Sequence, residues 1–182
     1  MTPSTRPMRF SLPARVLHWL MAPAIFVMLL LGSGLVTTVS IWRPLLLDTH
    51  KTLGMLLLLL VLLRLAIRLT RGAPALPSNM PGWQRGLAHL SHWLLYGLML
   101  AMPLIGWAML SAAGYPLPGI GGWHVPALMA PDVVRYALLR HAHGVLGRVF
   151  FWVILVHLCA GLAHALLLRD GVFNSMALRL RR

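Results

Sequence analysis

Residues 141–164 read HAHGVLGRVFFWVILVHLCAGLAH. The stretch is apolar enough to lie in lipid, yet it carries histidines at 141, 143, 157 and 164. A polar ring in hydrocarbon costs free energy unless something faces it, so each such imidazole calls for a partner. Fourteen residues of α-helix rise about 21 Å and complete almost four turns. His143 and His157 therefore point the same way, one near an edge of the bilayer and one deeper.

The rest of the chain has the matching composition. Of 182 residues, 59% are hydrophobic and 10% charged, with three acids, Asp48, Asp132 and Asp170. Soluble domains carry roughly 25% charged residues. A formal charge of +13 would suggest nucleic acid in a soluble protein. Here the arginines stand at the ends of apolar runs, as they do on the cytoplasmic side of membrane proteins, and no nucleic-acid partner is expected. Cys159 is the single cysteine, so no intrachain disulfide is possible. The length suits one domain, residues 1–182.

Apolar runs of about 20 residues, enough to cross a bilayer, occur four times, at roughly 16–40, 50–70, 87–112 and 143–168. The first follows a basic stretch as a signal peptide would. It is long and has no small-residue cleavage site, so it is read as a span. Ser11-Leu12-Pro13 is a plausible helix start with proline in the first turn. Asp48 or Thr49 is the candidate N-cap of the second. Pro103 predicts a kink in the third. Segment 71–86 is a proline- and glycine-rich linker. Segment 113–142 is a longer loop whose second half, DVVRYALLRHAH, has a helical pattern, while His124 and His141 read as loop residues. The fold class is all-α, a membrane-embedded four-helix bundle.

Basic residues set the orientation. One side holds Arg6, Arg9, Arg15, Arg64, Arg68, Arg71, Arg85, Arg169, Arg179, Arg181 and Arg182; the other holds Arg43, Lys51, Arg135, Arg140 and Arg148. The excess of positive charge predicts that both termini are cytoplasmic.

Partners for the two histidines follow from depth. His50 opens the second span at the outer edge, level with His143, and His18 lies in the first span toward the inner side, level with His157. Two pairs at two depths facing a bundle interior suit two bis-histidine haems, because haem iron takes axial imidazoles and bundle cores hold cofactors between facing helices. HKTLG at 50–54 echoes HGVLG at 143–147. Gly54 and Gly147 thus lie one turn beyond a histidine, where a missing side chain lets a flat macrocycle approach. Arg64 shares the face of His50 near the inner end and could pair with propionates there, as could Arg15 or Arg68. Lys51, Arg140 and Arg148 could do so outside. The competing reading, histidines that merely satisfy one another or backbone carbonyls, suits a lone histidine better than four at matched levels. His164 shares the face of His157, but about 31 Å from His143 it is poorly placed for electron tunnelling. His89 and His92, at i,i+3 spacing, could line a quinone pocket with His164 and handle protons, or simply face headgroups.

With these residues in hand, the chain resembles the bacterial cytochrome b561 family of di-haem, four-helix inner-membrane proteins. The resemblance spans about residues 9–170 and rests on RVLHW at 15–19, HKTLG with RLAIR at 64–68, GLAHLSHWLLYGLMLAMPLIGW at 86–107, and HGVLG with HLCAGLAH up to 164. It implies two b haems with iron ligands His18, His50, His143 and His157. It also implies likeness to superoxide oxidases, which pass an electron from superoxide outside to ubiquinone in the membrane. The expectation is therefore a superoxide:quinone oxidoreductase. The alternative is an electron-transfer subunit docked to a periplasmic redox partner such as a hydrogenase.

Overall fold

The computed structural model describes residues 9–37, 41–77, 80–120 and 123–178. Four long helices carry the chain: α1 (Leu12–Thr37), α2 (Arg43–Arg71), α3 (Gly82–Ala113) and α4 (Val133–Ala163). Each is long and apolar enough to cross a membrane. A short π-helical stretch, His164–Leu168, follows α4, and the five-residue α5 (Val172–Met176) ends the described chain. Of the basic residues used for orientation, Arg6, Arg179, Arg181 and Arg182 lie outside the described residues.

The helix starts show what hydropathy misses. Pro13 falls in the first turn of α1, as expected. α2 begins seven residues before the apolar run, with Trp42 as its N-cap and Pro44 in its first turn. Asp48 and Thr49 are therefore interior residues, not caps: Thr49 Oγ1 donates to the Leu45 carbonyl at 2.8 Å. Proline lacks the amide hydrogen that a first turn cannot use, so it starts a helix without loss. α3 starts at Gly82, which shortens the linker. α4 starts at Val133, where the Asp132 side chain accepts from the Arg135 amide at 2.9 Å. That cap replaces one orphan-donor partner and carries α4 well above the apolar run, so His141 is helical, not a loop residue.

Neighbours in sequence pack as antiparallel hairpins, α1 on α2 and α3 on α4, and α2 packs on α3; α1 and α4 barely touch. All four helices meet in one apolar cluster of Met21, Ile25, Leu57, Leu58, Val61, Leu98 and Phe150. Val61 is wholly buried. In sequence these residues fall between the outer and inner histidines, so the dry core separates the two levels. The outward faces are exposed leucine, valine, phenylalanine and tryptophan, a surface that only lipid would cover.

The end of the bundle that carries His50 and His143, outer in the orientation expected from the arginine count, is tied down by polar contacts. Gly114 takes a left-handed φ of 67° and closes α3, a conformation glycine adopts without strain. The buried Ser111 hydroxyl donates to the Trp107 carbonyl at 3.0 Å and accepts from the Leu128 amide at 3.0 Å. Trp107 Nε1 donates to the Pro126 carbonyl, and the Asp132 amide to that of Ala112. Between these anchors lies a two-rung antiparallel pair, β1 (Gly119–Ile120) with β2 (Trp123–His124).

The inner end is closed by a strap. Around α5, the Ser175 carbonyl accepts from the Phe10 amide, that of Met176 from Trp19 Nε1 at 2.9 Å, and that of Ala177 from an Arg15 guanidinium nitrogen at 2.7 Å. Phe173 packs edge-on against Trp19.

Candidate functional site

α2 and α4 lie across the bundle from each other, and their outer turns bring the rings of His50 and His143 edge-on beside one another. The ring centroids are 6.2 Å apart, with the planes at 73°. Deeper, His18 of α1 faces His157 of α4 across their loosely packed seam, with centroids at 6.4 Å and planes at 81°. Both pairs expected from helix depth are therefore adjacent in space.

The spacing of the rings tests what could lie between them. Two imidazoles sharing a hydrogen bond of about 2.9 Å would bring their centroids to roughly 5 Å. Two metal–nitrogen bonds of about 2 Å each, with about 1 Å from each nitrogen to its ring centre, give roughly 6 Å. Both separations match the second figure. Among the described residues no hydrogen bond joins the rings of either pair, and the Nδ1 atoms of His50 and His143 lie on the side of Gly32 and Gly106. The donor set points the same way. A bare zinc site needs three or four protein ligands, and no such cluster of His, Cys, Asp or Glu occurs among the described residues. Haem supplies four nitrogens of its own and asks the protein only for axial ligands. The residues present fit haem.

The glycines add a contact that the sequence reading did not anticipate. A Cβ at Gly32 would lie 3.4 Å from His50 Cε1, and one at Gly106 3.4 Å from His143 Cε1. Each outer imidazole thus has a bare glycine of the neighbouring helix beside its edge, with room for little more than a methyl group between them. The notches at Gly54 and Gly147 are met by the terminal methyls of Met28 and Met102, each at 3.6 Å. The overlooked signal was a second echo, MLLLG at 28–32 and MPLIG at 102–106.

The inner level is richer in polar groups. His92 of α3 also stands beside His157, with centroids at 5.9 Å, so three imidazoles converge there. Arg64 lies within electrostatic reach of His18 and His157, beside Tyr96, and donates to the Ala14 carbonyl at 2.8 Å. Arg15 is held by the strap through one terminal nitrogen, while its Nε and the Ser11 hydroxyl are buried without partners. Arg68 sits over the Phe10 ring, 5.4 Å from its centroid. His89 is exposed. His164 opens the π-helical stretch, and its Nδ1 lies 2.7 Å from Asp170 Oδ2, whose other oxygen accepts from the Val172 amide.

At the outer end, Lys51 pairs with Asp48 at 2.6 Å and Arg135 with Asp132 at 3.4 Å. Among the described residues, Arg43, Arg140 and Arg148 enter no ion pair.

Four apolar helices with histidines paired at two depths describe a multi-pass membrane protein of the b-type cytochrome class. The family model described as prokaryotic cytochrome b561 matches residues 9–178, and the chain belongs to that family, whose members bind haem b. It is 28% identical over 129 residues to "Cytochrome b561 homolog 1" of Escherichia coli (strain K12), covering 71% of this chain and 73% of that one. It is 29% identical over 140 residues to "Probable superoxide oxidase CybB" of Yersinia pestis, covering 74% and 76%. It is 32% identical over 127 residues to "Cytochrome b561 homolog 2" of the same E. coli strain, covering 68% and 67%.

Proposed function

We propose that this protein is a single-domain di-haem cytochrome that carries electrons from superoxide at the outer face of the bacterial inner membrane to ubiquinone, with both termini cytoplasmic. The observation that carries the reading is the pair of imidazole gaps, 6.2 and 6.4 Å, at two depths. His50 with His143, and His18 with His157, would each hold the iron of one b haem. Bound there, two b haems supply one-electron carriers spanning the apolar core.

The chain's own residues account for the remaining tasks. Two superoxide anions give up one electron each and leave as dioxygen; one quinone takes both electrons and two protons and leaves as quinol. Arg43, Arg140 and Arg148 place unpaired positive charge at the outer face, which raises the local concentration of a small anion. At the inner end, Asp170 accepts from His164, so the Nδ1 proton is fixed and Nε2 faces away from the carboxylate. His164, together with His92 and the exposed His89, would hand protons to quinone from the cytoplasmic side. Arg64 offers a partly buried cation for inner propionates.

The test is partner-free. Purified protein in detergent is mixed with superoxide and its absorbance followed, then ubiquinone is added. Rapid b-type reduction followed by reoxidation is expected. Reduction no faster than that by a neutral reductant of similar potential would replace superoxide with a docked periplasmic redox protein as donor.

A further inference from the structure

The outer histidine site is built twice. In the α1–α2 hairpin, His50 rests on Gly32 while Met28 rests on Gly54; in the α3–α4 hairpin, His143 rests on Gly106 while Met102 rests on Gly147. In each case a Met-x-x-x-Gly on the first helix meets a His-x-x-x-Gly on the second, antiparallel. The distances repeat as well, 3.4 Å at both imidazoles and 3.6 Å at both methyls. Two knobs in two holes fix the height of one helix against the other. The inner site has no such repeat, since its facing histidines come from α1 and α4, with a third from α3.

From this geometry we infer that Gly32 and Gly106 are positioning residues that set the rotation of the two axial imidazoles at the outer haem. The inference rests on the haem reading above. The contact falls on the Cε1–Nδ1 edge: a Cβ at Gly32 would also lie 3.9 Å from His50 Nδ1, and one at Gly106 3.8 Å from His143 Nδ1. That leaves the Nε2 edge for the partner side. With little more than a methyl's width between the imidazole edge and the facing helix, a larger side chain at either glycine would turn the ring. The angle between two axial imidazole planes governs how far the iron d orbitals split, and hence the anisotropy of the low-spin ferric EPR signal. The two glycines thereby hold the 73° crossing of the outer rings and tune the electronic state of the iron without touching it.

Alanine and valine grade the perturbation. An alanine methyl at 3.4 Å asks the ring to give by a few tenths of an ångström at most, whereas valine adds two methyl groups to the same point. The wild-type protein is expected to show two low-spin b-haem EPR signals and two haems per chain. Gly32→Ala and Gly106→Ala should each shift one signal, the one lost in His50→Ala, and leave haem content unchanged. Gly32→Val and Gly106→Val should lower the haem ratio from two toward one, with the inner signal intact. Gly34→Ala and Gly97→Ala, where a Cβ meets nothing within 4 Å, should change neither. Wild-type signals and full haem content in the valine variants would overturn the inference, as would loss of both haems together. A wild-type protein lacking bis-histidine signals would instead sink the haem reading itself.

Discussion

At the scale of single residues, the four ligand candidates were legible because a histidine in an apolar run is conspicuous and helix rise converts spacing into depth. Gly32 and Gly106 were not, because a glycine in a span carries no sign of which neighbour leans on it until the hairpin is closed. The charges outside also needed three dimensions: the sequence counts Lys51 and Arg135 among the outer cations, and the structure pairs them with carboxylates at 2.6 and 3.4 Å. The ligand assignment has a direct test. His50→Ala and His143→Ala should each remove the outer haem and spare the inner, and His18→Ala and His157→Ala the reverse, read from pyridine haemochrome content and redox titration. Loss of the same haem from His50→Ala and His157→Ala would mean that the pairs are wrongly drawn. His92 stands 5.9 Å from His157, so His92→Ala is the informative companion. It should keep both haems, and loss of the inner one would transfer the ligand role from His18.

At the scale of elements, hydropathy found all four spans but misplaced their ends. The starts of α2 at Arg43 and of α4 at Val133 are set by Pro44 in one first turn and the Asp132 cap of the other, which apolar run length does not register. The loop beyond α3 showed no motif, yet it is anchored, because a buried hydroxyl can serve a carbonyl and an amide at once. Ser111→Ala leaves the Leu128 amide without its acceptor, and the cost expected is about 1–3 kcal/mol. Amide exchange at Leu128 should rise and limited proteolysis should cut within 115–131, while haem content stays at wild-type level. Unchanged exchange would show that the serine does not hold the loop. The second glycine pair belongs to this scale too. Gly54→Leu or Gly147→Leu drives a branched side chain into the space of Met28 or Met102 and forces the hairpin apart at the level of the outer imidazoles. The protein should still insert, since leucine favours lipid-embedded helices, but the outer haem should be lost. Full occupancy in both variants would show that the notches do not set the height of the hairpins.

For the whole molecule, charge is distributed by face, and that distribution gives a prediction about rate. If superoxide is the donor, reduction should slow as salt rises, because screening shortens the reach of the outer cations to about 10 Å at 0.1 M. Arg140→Gln or Arg148→Gln should lower the rate with haem content unchanged, and Arg135→Gln, whose charge Asp132 already offsets, should lower it less. Equal effects at all three positions would mean that net charge, not local arrangement, draws the anion in. Orientation was read from the sequence by counting arginines. It is checked by cysteine accessibility at each end in intact spheroplasts.

The strap at the inner end has a consequence for how the molecule is made. Residues 172–178 follow all four spans in the chain, so a ribosome delivers them long after α1 has entered the membrane. Until then α1 and α4 have few contacts with each other, and the bonds from Phe10, Arg15 and Trp19 to the strap do not exist. A nascent chain halted after Asp170 already holds His18, His50, His143 and His157, yet the mouth beside His18 and His157 stands open between the first helix and the last. Residues made after every span is complete are the ones that shut it.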